Sequence, residues 1–111
     1  MTDYVRACAL DEVPGQGTFG VELNGTPLVI IRSEGEIYAL DEFCTHEDVS
    51  LVDGEVYDRT VECWLHGSCF DLRSGKPTGP PATRPITTYP VRIDGGDVYV
   101  ALPEEERHVH P

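Results

Sequence analysis

The sequence predicts an all-β fold, and three patterns support that prediction. Short runs of β-branched and aromatic residues recur along the 111-residue chain and are separated by turn residues. No stretch of helical length repeats its apolar residues every three to four positions. Tyr89, Val91 and Ile93 alternate with other residues, which is the period of a strand with one buried face. We therefore expect short strands joined by tight turns.

Three dipeptides are suited to hairpin turns between these strands. They are Asn24-Gly25, Glu34-Gly35 and Gly95-Gly96, whose residues tolerate the positive φ of a tight turn. They separate predicted strands at residues 18–23, 28–32, 37–40, 89–93 and 98–102. Residues 28–31 are apolar at every position, so this strand is expected to be central and covered on both faces.

Residues 43–72 follow a different pattern and predict a small subdomain, the insert, placed within the sheet. Cys, His and Gly predominate there, and a short hairpin is expected with strands 55–57 and 60–62 turning at Asp58-Arg59. The proline-rich stretch 79–85 is expected to form a rigid loop, because proline fixes φ and lacks an amide donor. A chain of this length forms one domain, residues 1–103, and the charged tail 104–111 is expected to be disordered.

Charge and cysteine content limit the possible partners and compartment. Twenty acidic and eight basic residues give a net charge of -12, which disfavours binding to nucleic acid and to membranes. The negative charge either favours partners with basic docking surfaces or only aids solubility. Asp3 and Arg6 interrupt any secretory signal, and no apolar run is long enough to span a membrane. We expect a cytoplasmic protein, in which four cysteines are free or metal-bound.

Two short motifs hold candidate metal ligands: Cys44-Thr45-His46 and Cys63-Trp64-Leu65-His66. In an extended segment, Cys44 and His46 point to the same side, and a tight turn does the same for Cys63 and His66. Two thiolates and two imidazoles suit either tetrahedral zinc or a [2Fe-2S] cluster with two Cys on one iron and two His on the other. The residues alone leave both possibilities open.

Together with the downstream Gly79-Pro80-Pro81, these motifs resemble the Rieske ferredoxin pattern, and the resemblance extends from Tyr4 to Leu102. It implies an antiparallel β-sandwich base with a small inserted cluster-binding subdomain. It also implies one [2Fe-2S] cluster, with Cys44 and Cys63 on the inner iron and His46 and His66 on the outer iron. Pro80 and Pro81 would cover the cluster.

The chain departs from the Rieske proteins of respiratory and photosynthetic complexes at three positions. Those proteins carry a disulfide between the two loops and a tyrosine hydroxyl near a cluster sulfur, where this chain has Val49, Leu65 and Phe70. Hydrogen bonds to the sulfurs raise the potential, so we predict a value at the low end of the range from about -150 to about +300 mV. Ser68 remains as a candidate donor.

The resemblance implies a ferredoxin component without a catalytic centre of its own. It would take one electron from an NAD(P)H-dependent flavoprotein reductase and deliver it to a terminal aromatic-ring-hydroxylating oxygenase, docking as a monomer near His46 and His66. Three alternatives remain: a small subunit like that of nitrite reductase, an accessory protein of iron-sulfur cluster assembly, and a structural zinc domain.

Other residues with metal-binding or redox potential receive simpler interpretations. Cys69 and Cys8 are expected to be buried thiols in strands. His108 and His110 follow three glutamates in the tail and are expected to be solvated. Trp64 either shields the cluster and contributes to docking or only packs.

Overall fold

The computed structural model describes residues 2–43, 49–63, 69–78 and 84–103. Within these ranges the chain forms strands and two short 3-10 turns, Leu10–Glu12 and Leu51–Asp53. The strands are β1 (Thr2–Ala9), β2 (Gly17–Leu23), β3 (Thr26–Ser33), β4 (Glu36–Asp41), β5 (Glu55–Tyr57), β6 (Thr60–Glu62), β7 (Cys69–Asp71), β8 (Thr88–Tyr89), β9 (Val91–Asp94) and β10 (Asp97–Pro103). The described residues include no helix long and apolar enough to cross a membrane.

Two antiparallel sheets form the base, and a third, smaller sheet lies in the insert. The base sheets have the orders β1-β10-β9 and β2-β3-β4-β8, and the insert sheet has the order β5-β6-β7. The predicted hairpins are confirmed: Asn24 and Gly25 have φ of 53° and 82°, and the strands that they join pair as Leu23 with Thr26. Local turn chemistry therefore sets the register of the base.

Strand β3 is central and lies between two cores, as its apolar sequence predicts. Leu28 and Ile30 belong to the core between the two base sheets, which includes Val98 of β10. Val29 and Ile31 point to the opposite face and belong to a second core with residues of the insert. Successive side chains of a strand alternate between faces, so an all-apolar strand can serve both cores.

A hydrogen bond attaches the hairpin turn of the insert to the base, and a second one fixes that turn to the end of the insert. Asp58 and Arg59 have φ of 53° and 60°, which confirms the predicted turn. The Arg59 amide donates to the Ser33 hydroxyl at 3.2 Å, and the Leu72 amide donates to the Arg59 carbonyl at 2.9 Å. Ser33 is fully buried at the end of β3. The turn of the insert is thereby fixed to the strand that separates the two cores.

The prediction of one strand at residues 89–93 is wrong in one respect, because these residues are divided between two strands, β8 and β9, which belong to different sheets. β8 pairs with β4, whereas β9 pairs with β10. Pro90 separates them and cannot donate a ladder hydrogen bond. Tyr89 is buried as predicted, but Ile93 is 45% exposed, because β9 is an edge strand and Ile93 borders a groove beside Arg32 and Glu36. The predicted tail 104–111 and most of the proline-rich loop lie outside the described residues.

Candidate metal centre

Residues 44–48 hold two of the predicted ligands, and we name them the first ligand-bearing segment. The described residues on either side, which we call its root, bond to each other. Phe43 pairs with Ser50 in an antiparallel bridge. The Leu51 amide donates to the Glu42 carbonyl at 2.7 Å, and the Ser50 hydroxyl donates to the Glu42 carboxylate at 2.6 Å. Ser50 Oγ also accepts from the Val52 amide at 3.1 Å, which caps the 3-10 turn. The predicted ligands Cys44 and His46 lie outside the described residues.

The second ligand-bearing segment connects β6 to β7. The last pair of that hairpin is Glu62 with Cys69, and Cys63 is the first residue beyond it. Cys63 is fully buried and packs in the same core as Leu51 and Phe70. Its sulfur is therefore held in a dry, apolar environment. The partner ligand in this motif, His66, lies outside the described residues, as do Trp64, Leu65 and Ser68.

The third segment, which contains Pro80 and Pro81, begins beside the second. The Thr78 amide donates to the Cys69 carbonyl at 2.8 Å, and Phe70 forms a bridge with Pro77. Residues 79–83 lie outside the described residues, so the covering role of the two prolines stays a prediction. The end of β6, the start of β7 and Thr78, which precedes the third segment, lie at one end of the small sheet.

Gly54 brings the root of the first segment against the end of β6. A Cβ atom at Gly54 would lie 2.2 Å from the Glu62 carbonyl oxygen and 3.2 Å from the Leu51 carbonyl oxygen. Its φ of -82° is ordinary, so this position requires the absence of a side chain and not unusual backbone freedom. Glu62 precedes Cys63, so the two ligand-bearing segments start from adjoining backbone.

The residues present fit a cluster that needs both thiolate and imidazole ligands. Among the described residues no three His, Cys, Asp or Glu side chains are grouped, since three of the four predicted ligands lie outside them. The described residues next to the two motifs nevertheless meet where Gly54 lies against the Glu62 carbonyl, and Cys63, which follows Glu62, is fully buried. Two soft and two imidazole donors can bind either zinc or a mixed-ligand [2Fe-2S] cluster.

Comparison with known families decides between these cofactors. A family model of the Rieske [2Fe-2S] domain matches residues 3–90. The chain belongs to the Rieske family. Its cofactor is therefore a [2Fe-2S] cluster, and the zinc alternative is excluded.

Relatives of similar length place this Rieske protein among ferredoxins. The ferredoxin component of the naphthalene 1,2-dioxygenase/salicylate 5-hydroxylase systems of Ralstonia sp. is 40% identical over 100 residues, covering 90% of this chain and 96% of the relative. A Sphingomonas yanoikuyae B1 ferredoxin superposes with a TM-score of 0.85 and 31% identity, covering 91% of this chain and all of that one. A chain in the complex of reduced oxygenase and oxidized ferredoxin in carbazole 1,9a-dioxygenase gives 0.82 and 31%, covering 88% and 92%.

The other cysteines of the Rieske domain differ from each other in burial. Cys8 in β1 is 3% exposed, as predicted, and burial raises the pKa of its thiol. Cys69 was predicted to be buried, but it is only half-buried. The reason is the alternation of β7: Phe70 points into the core, so Cys69 lies on the outer face of the small sheet.

That outer face carries a polar contact that the sequence analysis missed. The Tyr57 hydroxyl donates to the Glu62 carboxylate at 2.5 Å and lies 3.9 Å from Cys69 Sγ. The hydrogen bond to Glu62, followed by the one to Cys69, raises the pKa of Tyr57. The predicted hairpin 55–62 could have placed Tyr57 and Glu62 on one face. Tyr57 pairs with Thr60, and Thr60 and Glu62 lie on the same side of β6, opposite the buried Val61.

Proposed function

We propose that this Rieske protein is a ferredoxin that carries single electrons from an NAD(P)H-dependent flavoprotein reductase to a terminal aromatic-ring-hydroxylating oxygenase. The observation that supports this most is the match with the ferredoxin component from Ralstonia, which extends over nearly the full length of both chains. The chain would act by alternating between two partners and would perform no oxygenation itself. A carrier of this kind needs a retained redox group, a surface for docking and a suitable potential.

We propose that Cys44 and Cys63 bind one iron and that His46 and His66 bind the other. Bound there, the cluster supplies one-electron redox chemistry at a higher potential than an all-cysteine cluster. The chain contributes a dry environment on the cysteine side, because Cys63, Leu51 and Phe70 are all fully buried in one core. Exclusion of water there protects the thiolate from exchange with solvent.

The residues around the site favour a low reduction potential for a Rieske protein. Phe70 is buried and Val49 is half-buried, and neither side chain can donate a hydrogen bond to a sulfur. Fewer hydrogen bonds to the sulfurs leave the added negative charge less stabilised. We expect a midpoint potential at the low end of the range from about -150 to about +300 mV, which a potentiometric titration measures. A value well above zero would contradict this inference.

An exposed aromatic residue and an acidic groove provide a docking surface near the first ligand-bearing segment. Phe43 directly precedes Cys44 and is 43% exposed. Beside it is a groove of about 590 Å³, lined by apolar side chains such as Val52 and by the carboxylates of Glu22, Glu42 and Asp53. An apolar contact flanked by negative charge suits transient docking to a basic partner surface, where electrostatics sets the association rate.

We further propose that the protein works as a monomer in the cytoplasm. Among the described residues, Cys8 and Cys63 form no disulfide, which is the expected state of thiols in a reducing compartment. Size-exclusion chromatography with light scattering should give the mass of one chain, about 12.2 kDa. A stable dimer at micromolar concentration would contradict the monomer.

Reconstitution with redox partners tests the proposed role in two steps. First, the purified protein should contain iron and acid-labile sulfide in equal amounts and show the rhombic EPR signal of a reduced Rieske cluster after dithionite. Second, the reductase and oxygenase of the naphthalene 1,2-dioxygenase system should support NADH-dependent product formation only when this protein is added. A cluster that the reductase reduces but that no oxygenase oxidises would overturn the carrier role and leave the ligand assignment intact.

A further inference from the structure

The roots of the two ligand-bearing segments form one continuous unit, made by Glu42, Ser50, Leu51, Gly54 and Glu62, which we name the pedestal. Its first half is the Glu42 residue, which accepts from the Leu51 amide through its carbonyl and from the Ser50 hydroxyl through its carboxylate. These two bonds span the whole first segment, because Glu42 precedes it and Ser50 follows it. The entry and exit of that segment are thereby held together.

The second half of the pedestal fixes the first segment to the second. The Gly54 amide donates to the Leu51 carbonyl at 2.9 Å, so the 3-10 turn ends at a residue that faces β6. At that point the backbones are so close that a Cβ atom on Gly54 would lie 2.2 Å from the Glu62 carbonyl oxygen. The three atoms nearest to this Cβ would all be backbone atoms of Leu51 and Glu62, which cannot rotate away as a side chain can.

We propose that Glu42, Ser50 and Gly54 are positioning residues that hold the two ligand-bearing segments at a fixed separation and so set the ligation geometry and retention of the cluster. None of the three is a proposed ligand. Each segment would supply one cysteine and one histidine in the proposed function, on which this inference rests, so each iron would take one ligand from each segment. A shift of one segment against the other would therefore strain a bond at each iron.

The burial of the pedestal explains why its hydrogen bonds can act on geometry. Leu51 is fully buried and packs with Cys63 in one core. Displacement of the 3-10 turn would therefore also displace the surroundings of this proposed ligand. Ser50 is half-buried and uses its hydroxyl twice, as donor to Glu42 and as acceptor from Val52. Loss of that hydroxyl would release the carboxylate and the cap of the turn together.

The first experiment compares Ser50→Ala with Ser74→Ala. Ser74 is a matched control, because its hydroxyl also accepts from the amide two residues on, Lys76, but in a turn at the other end of β7. We expect Ser50→Ala to release iron to a chelator about five- to tenfold faster than the wild type and to shift the EPR g-values of the reduced protein. Ser50→Thr, which keeps the hydroxyl, should restore both properties, and Ser74→Ala should leave both unchanged.

The second experiment compares Gly54→Ala with Gly15→Ala, where a Cβ would meet nothing within 4 Å. Gly54→Ala should have the larger effect, with at least tenfold faster iron release, and Gly15→Ala should match the wild type. If Gly54→Ala fails to fold, the serine variants decide the question alone. Identical g-values and iron release in Ser50→Ala and Ser74→Ala would overturn the positioning role.

The wild type separates this inference from the proposed function. A wild-type protein without a Rieske EPR signal would overturn the ligand assignment itself. A wild-type protein with that signal, together with pedestal variants that behave as their controls do, would overturn only the role of the pedestal. Altered thermal stability without altered g-values would also count against positioning, because it is the expected result of a purely structural role.

Discussion

The base and the insert of this Rieske domain are stabilised in different ways. The base contains long paired strands, among them the eight-residue strands β1 and β3, together with the short strands β8 and β9, around its own apolar core. Each strand of the insert sheet has three residues, and its core borrows Val29 and Ile31 from β3 of the base. Three-residue strands bury too little surface to be stable alone. We therefore expect the base to fold by burial alone and the insert to depend on the base and on ligation.

This difference suits an electron carrier, because it separates support from function. The base presents the strand to which the insert is bonded, through the Arg59 amide and the Ser33 hydroxyl. Metal ligation then contributes to the folding of the insert. The division between the two regions can be tested by changes confined to one region at a time.

The largest effect should come from replacing a cysteine of the insert by serine, and the same replacement in the base is its control. Cys63→Ser removes a proposed ligand from the insert, and we expect complete loss of the cluster and of its EPR signal. Amides of β6 and β7 should then exchange rapidly with deuterium, while those of β1, β3 and β10 stay protected. Hydrogen exchange measured by mass spectrometry checks this result.

Cys8→Ser is the matched change in the base. It places a hydroxyl at a buried position and should cost about 1–3 kcal/mol of the free energy of unfolding, without loss of the cluster. Urea denaturation of the cluster-loaded proteins gives this number. If Cys63→Ser exposed the amides of β3 as rapidly as those of β6, the two regions would fold as one unit and the comparison would fail.

Charge reversal at the two ends of the molecule should give the next largest effect. Glu22→Lys with Asp53→Lys changes the groove beside Phe43, and we expect about a tenfold slower electron transfer to the oxygenase at low ionic strength. Stopped-flow absorbance measures this rate, and the difference should shrink as salt increases.

Asp11→Lys with Asp94→Lys is the control of equal charge. These exposed carboxylates adjoin the hydrogen bond from the Leu10 amide to the Gly96 carbonyl. The Leu10 carbonyl accepts from Arg32, near the last residue of β3. Pro27, near the first residue of β3, accepts from the Glu42 amide, so the control pair lies at the other end of that strand. We expect less than a twofold change for this pair. Equal slowing by both double variants would mean that net charge alone, and no docking surface near the insert, controls association.

Two adjacent isoleucines of β3 sharpen the comparison within one strand. Ile30 and Ile31 are both fully buried, but Ile30 belongs to the core of the base and Ile31 to the core shared with Cys63. Ile30→Val and Ile31→Val should each lower the free energy of unfolding by about 0.5–1.5 kcal/mol, measured by urea denaturation. Only Ile31→Val should also speed the release of iron to a chelator. Equal release rates would show that the two faces of β3 are coupled.

The parts of this structure that the sequence predicted depend on local chemistry. Positive-φ dipeptides such as Asn24-Gly25 determine their own turns, and an all-apolar β3 indicates two covered faces. The two motifs limited the cofactor to zinc or a [2Fe-2S] cluster, since they reflect ligand chemistry, and the resemblance to Rieske ferredoxins favoured the cluster. The exchange of sheets at Pro90 and the exposure of Ile93 depend on how distant strands pack, which no short window records.

The pedestal could not be predicted for the same reason. The Glu42 to Ser50 bond joins residues on either side of a ligand-bearing segment, and the need for glycine at position 54 arises from a contact with Glu62. Glu42, Ser50 and Gly54 belong to no recognisable sequence motif. The half-burial of Cys69 was within reach, because the register of β7 with Phe70 facing the core determines it.

The smallest expected effect concerns the outer face of the insert. Tyr57→Phe removes the hydroxyl that donates to Glu62, and because Tyr57 is exposed, it should lower the melting temperature less than either isoleucine variant at pH 7. The pKa of Tyr57 is raised in the folded protein, chiefly by this hydrogen bond. The stabilisation is therefore complete below the ordinary tyrosine pKa of about 10 and is lost as the pH rises above it, since the unfolded chain then releases its proton first.

The difference in melting temperature between the wild type and Tyr57→Phe should accordingly shrink between pH 9 and about pH 11. Tyr38 also has a raised pKa, mainly because of burial, but it is present in both proteins and cancels in the difference. A difference that stays constant over this range would mean that the hydroxyl acts only through packing. A difference that shrinks would show that even the outer face of the insert contributes a measurable hydrogen bond.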